Sequence, residues 1–289
     1  MISATIYSDP ACPWAYSESP ALRVLEWRYG EQLDWRLVLI GLAENASRYE
    51  AIGYTPLRGA LGQLSFRRYG MPFSPAPKER MSATARACRA VVAARHAQPG
   101  SEWRVFRALQ LANFTTALIL DDDAQLAGVL RDIPGIDGDA VIASLDDPAV
   151  TEAYERDRAE ARTASGSPSE LQGKTAASDG PARYTAPSVV FESGGRRLEA
   201  GGFQPVEAYD VLVANLESDI DRKPVPDTPA PLLAAFPDGV TTQEVAAMLA
   251  DGNDAPDRVA AERALLELVA SGEAERVPLG DDALWRRPG

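Results

Sequence analysis

The sequence predicts an α/β protein: a β-α-β opening, a long helical block, a β-β-α close, and a small appended unit of two helices and a wing. Three observations predict it. Residues 2–8 and 33–41 are short β-compatible runs on either side of an amphipathic helical stretch. Residues 57–163 carry helical patterns and no convincing strand. Residues 188–192 and 196–200 are strand-like and flank Ser193-Gly194-Gly195, where paired glycines accept the positive φ of a tight hairpin turn.

In chain order, the first strand runs into Asp9-Pro10-Ala11-Cys12-Pro13-Trp14, whose two prolines punctuate a strand-to-helix turn. Pro13 suits a first helical position because its missing N–H is one the helix cannot use. From there to about residue 28, Tyr16, Leu22, Val24, Leu25 and Trp27 alternate with Glu18, Arg23 and Glu26 as on an amphipathic helix, and Gly30 lies near its end. The second strand stops at Gly41. Helices are expected over 81–96, 102–120, 121–131, 138–145 and 147–162. Residues 164–183 are small and polar, and a loop of that length in a compact domain suggests a lid. Pro205 opens a last helix to about residue 216.

Residues 219–235 hold four prolines between 224 and 231 and read as a linker. Beyond it, 236–289 reads as a winged-helix-like domain. Thr241, Thr242, Gln243 and Glu244 form a capping box for one helix, 256–271 forms a second, and 276–279 with 283–286 form the wing.

Composition narrows function by exclusion. A net charge of −13 over 289 residues repels phosphate backbones and anionic membrane surfaces. The helix from 256 sets Asp257, Glu262 and Glu267 against Arg258 and Arg263, which is no basic recognition face. Nucleic acid and membrane are therefore not expected partners. Residues 1–8 have neither a basic nor an apolar signal region, and no run of about 18 apolar residues occurs, so a cytoplasmic protein is expected. The single histidine, His96, sits where a helix ends and suits its terminal carbonyls. Asp121, Asp122 and Asp123 precede a helix and read as its cap, so no metal site is expected.

Two cysteines are too few for a disulfide framework. Cys12 lies where a strand ends and a helix begins, so the helix's unpaired amides are expected to lower its pKa below the usual value of about 8.5. Trp14 offers a stackable surface beside it. Cys88, among alanines and valines, reads as a packing residue in a separate helix with no disulfide to Cys12. Gln204 at the start of the last helix is placed either to hold a ligand carboxylate or to fill a plain N-terminal role. Thr185-Ala186-Pro187 leads directly into an apolar strand, where proline is tolerated only in special roles.

Ser8-Asp9-Pro10-Ala11-Cys12-Pro13-Trp14-Ala15-Tyr16, the Ala- and Arg-rich stretch 86–95, Tyr184-Thr185-Ala186-Pro187 and Gly201-Gly202-Phe203-Gln204-Pro205 occur in order. Over residues 1–218 the chain thereby resembles the DsbA-like thioredoxin family, in particular its FrnE and 2-hydroxychromene-2-carboxylate isomerase branch. The resemblance implies a thioredoxin-like fold with a helical insertion over about 57–183. It implies a cis Pro187 facing Cys12, with Ala186 offering main-chain bonds to substrate and Pro13 and Trp14 shaping the helix tip. It implies thiol–disulfide oxidoreduction, or a reaction dependent on glutathione or another low-molecular-weight thiol, with no resident cofactor.

Position 15, where two-cysteine members carry a resolving thiol, is alanine here. Internal release of a mixed disulfide by the usual route is therefore closed, and Cys88 could resolve it only if its helix faces the site. The expected function is a thiol oxidoreductase with Cys12 as its one catalytic sulfur, resolved by a small thiol. The alternatives are a glutathione- or mycothiol-like thiol-dependent isomerase or transferase, and a redox-inactive binding protein that keeps the fold. Expected partners are a small thiol or a protein thiol or disulfide. The C-terminal unit reads as a docking or dimerisation module, which leaves a homodimer open.

Overall fold

The computed structural model describes residues 1–177, 180–252 and 254–289. The first part of the chain runs β1 (Ile2–Ser8), α1 (Pro13–Ser17), α2 (Ser19–Tyr29) and β2 (Leu33–Leu39). Next come α3 (Ser47–Ala51), α4 (Pro56–Phe66), α5 (Ala85–Ala97), α6 (Glu102–Thr115), α7 (Asp123–Arg131), α8 (Gly138–Ala143), α9 (Pro148–Ala161) and α10 (Pro168–Leu171). The chain returns through β3 (Thr175–Ala176), β4 (Arg183–Tyr184), β5 (Ser188–Ser193), β6 (Arg196–Gly201) and α11 (Val206–Leu216). It ends in α12 (Ala230–Ala235), β7 (Val240–Thr241), α13 (Thr242–Leu249), α14 (Arg258–Ala270), β8 (Glu275–Leu279) and β9 (Asp282–Arg286).

The main sheet has the order β2-β1-β5-β6, with β1 parallel to β2 and antiparallel to β5. A parallel pair needs a crossover, which α1 and α2 supply, whereas β5 and β6 need only the tight turn at Gly194 and Gly195, both at positive φ. Strand β1 is central and covered on both faces. Ile2, Ala4 and Ile6 enter the large core with Leu25, Tyr29 and Tyr209, while Tyr7 joins Val38, Val190 and Tyr184 in a smaller cluster. That two-residue alternation puts two different environments on one strand. Tyr7 stacks on Tyr184 with ring centroids 4.3 Å apart.

The expected single helix over 13–28 is two. Pro20 has no N–H to give the carbonyl of Tyr16, so the chain breaks at Glu18 and restarts as α2. The helical block forms, but its second expected helix stops at Thr115 and its first starts at Ala85, and Asp122 accepts from the Gln125 N–H as the cap of α7. His96 lies exposed in the last turn of α5. The 164–183 segment is not a structureless lid. It holds α10, β3 and β4, and Ser169 binds the buried Glu199 carboxylate through its N–H and hydroxyl. Residues 178 and 179 of that loop lie outside the described residues.

The expected linker is also altered. Lys223 donates to the Arg28 carbonyl, Trp27 donates to that of Pro224, and Ala230–Ala235 forms α12, with Leu232 and Leu233 fully buried. Among its described residues, the C-terminal unit has three helices and a three-stranded antiparallel sheet of order β7-β9-β8. It docks on the same chain: Val24 of α2 shares a core with Leu232, Val245, Leu265 and Trp285. The capping box of α13 forms as expected, but its Glu244 does a second job that the local pattern does not reveal. Fully buried, it takes two bonds from Arg107 of α6, at 2.7 and 2.8 Å, and one from Ser19 of α2. Among the described residues, no helix is long and apolar enough to cross a membrane.

Arg107 holds the Glu244 carboxyl down to about 2 against the opposing effect of burial. With its folded pKa below the ordinary 4.5, Glu244 contributes stability that is complete above that pH and fades as pH falls toward 2. Glu244→Gln strands the Arg107 charge in a dry seam. Thermal unfolding of this variant at pH 7 is expected to show a loss of about 3–5 kcal/mol. The wild-type difference should shrink as acid unfolding is followed below pH 4.5.

Candidate functional site

Strand β1 delivers the chain to a turn held by Asp9. Its fully buried carboxylate accepts from the Ala11 and Leu42 N–H groups at 2.8 Å each, from the Thr84 hydroxyl at 2.9 Å and from the Cys88 thiol at 3.5 Å. Its carbonyl accepts from the Cys12 N–H at 3.1 Å. Four donors from the turn, the β2–α3 loop and the start of α5 thus meet on one side chain. Cys12 follows in an extended conformation as the N-cap of α1, with Pro13 in the first turn.

The Ala186–Pro187 bond is cis, as the resemblance implied, and the Cys12 thiol donates to the Ala186 carbonyl at 3.0 Å. Residues 174 positions apart in sequence are so brought into direct contact. The sulfur faces the backbone N–H groups of Ala15 and Trp14, which favour its thiolate, as does the charge of Arg183. Burial outweighs them. Cys12 is only 6% exposed, and its thiol is pushed up to about 12, with the Asp9 charge adding to the effect. The expected lowering is therefore not found in this closed geometry, because desolvation of a thiolate exceeds what helix-end amides return.

Trp14 is 40% exposed and stands in an aromatic wall with Phe66, Tyr69 and Phe203, at centroid distances of 4.8, 5.7 and 5.6 Å. Beside Ala11 and Pro13 opens a cavity of about 220 Å³, lined mainly by Tyr49, Tyr54, Phe66, Lys78 and Phe114. Helices α3 and α4 and residues 76–82 supply its walls, so the cover lies upstream of the expected lid. Lys78 donates to Asn113 and to the Leu118 carbonyl, and burial pushes its ammonium down to about 8.

Gln204 is not brought to the thiol. Its side chain donates to the Gly201 carbonyl and its N–H to Glu18, on the other side of the aromatic wall. Cys88 is a free, fully buried thiol turned to Asp9, in keeping with a packing role, and Cys12 is also free. The sequence reading passed over Asp9, Glu18 and Lys78. Asp9 stands inside the quoted motif, and Pro20 marked the helix break that buries Glu18, but nothing local marks Lys78.

A β-α-β/β-β-α sheet with a helix-capping cysteine against the carbonyl before a cis proline defines a thioredoxin-fold thiol protein. The chain belongs to the DSBA-like thioredoxin domain family, whose pattern matches residues 4–179. Its structure is similar to that of a protein described as a disulfide isomerase from Nitrosomonas europaea. The two are 18% identical, with a TM-score of 0.57 over 74% of this chain and 96% of that one. It is also similar to the cytosolic disulfide reductase DsbM from Pseudomonas aeruginosa, with 18% identity and a TM-score of 0.51 over 75% and 99% of the two chains. That reductase has also been solved with GSH. A 2-hydroxychromene-2-carboxylate isomerase matches at 17% identity and a TM-score of 0.46, over 74% of this chain and 95% of that one. No curated protein matches the sequence. At these identities the likeness is one of fold.

Asp9→Asn tests the turn. One amide oxygen cannot satisfy donors on both sides, and either orientation sets the NH₂ against a donor. Circular dichroism melts are expected to show a loss on the order of 2 kcal/mol. Alkylation of Cys12 should become faster in the same variant, since the turn that seats the buried sulfur is loosened.

Proposed function

We propose that the protein is a monothiol, small-thiol-dependent oxidoreductase whose reacting atom is the Cys12 sulfur. The observation that carries this reading is the setting of that sulfur. It lies between the Trp14 and Ala15 amides and the Ala186 carbonyl, with alanine where a resolving thiol would stand. In the first step the Cys12 thiolate attacks one sulfur of a disulfide. A bond forms to Cys12 as the old S–S bond breaks, and the displaced sulfur leaves as a thiolate that takes up a proton. A small thiolate of the glutathione or mycothiol kind then attacks the mixed disulfide, releasing Cys12 and leaving as the new disulfide. Trp14 and the apolar cavity hold the substrate body, and the main chain at Ala186 and Pro187 aligns it. The cytoplasm suits this cycle, since it supplies free small thiol.

The raised pKa of the resting thiol favours a second reading, a thiol-dependent isomerase or transferase. There Cys12 stays protonated and donates its S–H to the cosubstrate's thiolate without redox change. In both readings the C-terminal unit is a winged-helix-like module turned inward. The turn of its wing supports the site's wall: Asp281 and Phe73 exchange backbone and side-chain bonds, and Phe73 packs on Tyr16 of α1.

Cys12→Ser separates the two. It is expected to abolish disulfide reduction and the mixed disulfide seen by mass spectrometry, whereas a serine that sustains turnover favours the non-redox reading. Ala15→Cys should create dithiol activity in an insulin-reduction assay. The position is buried, and it borders a cavity of about 70 Å³ that leaves room for one added sulfur. A folded Ala15→Cys that gains no dithiol activity would sink the account.

A further inference from the structure

Beyond the Cys12 site, a second cavity of about 270 Å³ lies in the seam between α1, α2, the start of α11 and helix α13 of the C-terminal unit. Its floor is polar and incompletely satisfied. Glu18, 1% exposed, takes one short bond from the Tyr209 hydroxyl at 2.6 Å on Oε1. Its Oε2 has only a long, shared contact with the Gln204 N–H at 3.4 Å. Next to it Ser17, 4% exposed, holds a hydroxyl with no hydrogen-bond partner, and both residues line the cavity. A buried carboxyl oxygen and a buried hydroxyl on consecutive residues, each with unused capacity and both lining one cavity, form a place for a group carrying several N–H donors.

The rest of the lining fits a positive charge on an apolar body. Phe203 and Tyr69 meet at 4.8 Å between centroids and form one wall, the reverse side of the aromatic group that holds Trp14. Aromatic faces attract cations and also cover flat apolar groups. Among the described residues, the acidic and basic side chains around the cavity are Glu18, Glu207, Asp254 and Arg28, and Arg28 is already paired with Asp210 of α11. The balance is acidic. An anion would meet three carboxyl groups and a cation that is already engaged.

We propose that this seam is a binding site for a small primary amine with an apolar or aromatic body, its ammonium seated on Glu18 and Ser17. The site is independent of the chemistry at Cys12, although Ser17 and Cys12 lie at opposite ends of the five-residue helix α1. Burial pushes the Glu18 carboxyl up to about 8, so in the free protein it is largely protonated at neutral pH. The Tyr209 hydroxyl and the Gln204 N–H oppose that shift. An ammonium arriving beside it favours the carboxylate, and binding therefore expels a proton.

The test is isothermal titration of the full chain with 2-phenylethylamine, its neutral counterpart 2-phenylethanol and its anionic counterpart phenylacetate. The amine is expected to bind at one site and the other two at least about tenfold more weakly, since they lack the charge or the donors. Amine affinity should rise about twentyfold between pH 6.5 and 8.5 as Glu18 ionises. The measured heat should vary with the ionisation enthalpy of the buffer, reporting the released proton. Glu18→Gln should remove both the preference for amine and the pH dependence. Ala247→Phe, which fills the seam from α13 and leaves Glu18 in place, should block binding in a protein whose circular dichroism is unchanged. Equal binding of the alcohol, pH dependence that survives Glu18→Gln, or no amine binding by folded wild type would each overturn the proposal.

Discussion

The buried carboxylate of Asp9 is the constraint on which the candidate site depends. A strand that ends in the core must turn sharply before a helix can start, and its backbone donors have no water to bind. Asp9 answers that need for three segments at once, taking N–H bonds from Ala11 and Leu42, a hydroxyl from Thr84 and a thiol from Cys88. The turn that presents Cys12, the loop after β2 and the N-terminus of α5 are therefore fixed relative to one another by a single side chain. Cys88 takes part as a donor to that carboxylate, which gives a buried free cysteine a physical reason to be where it is.

A similar arrangement, a buried acid with several donors, joins the C-terminal unit to the rest. Glu244 closes the capping box of its own helix and receives Arg107 from the helical block and Ser19 from α2. The wing completes the join. Gly280, at φ +58, lies so near Phe73 and Thr115 that a side chain there would meet Phe73 backbone at 3.1 Å. Asp281 beside it accepts from the Phe73 N–H at 2.8 Å and pairs with Arg67. The same stretch of chain then runs on to residues 76–82, which line the cavity beside Cys12. An appended unit thus helps to set the shape of a pocket to which it contributes no lining residue.

Two opposed effects meet at the Cys12 sulfur. Helix-end amides favour the thiolate, while burial and the nearby Asp9 charge favour the thiol, and in the closed structure the second pair prevails. Any change that wets the sulfur removes the larger opposing effect and leaves the amides in place. Access of water to the sulfur is then the variable that sets its thiolate character.

Much of this was legible in the chain because it is local. Strand alternation, the helix-starting Pro13, the glycine pair of the hairpin and the capping box at Thr241 each depend on neighbours a few residues away, and each was found in place. The motif around Cys12 and the Ala186-Pro187 pair indicated the family from short segments. What the sequence left open depends on contacts between distant residues. It gave Glu18 to a solvent face and Pro20 no role, ended the linker too late, put part of the cover of the site in 164–183, and expected a lowered thiol pKa. Whether a polar side chain is buried, and which donors reach it, is decided by segments that meet only on folding: Arg107 at Glu244, Tyr209 at Glu18, the Ala186 carbonyl at Cys12. By itself the sequence determined most of the elements and the place of Cys12 at the end of the first strand, where a helix starts. Only the tertiary structure decided the dielectric around that sulfur and around the buried acids, because desolvation depends on everything packed nearby and not on sequence neighbours alone.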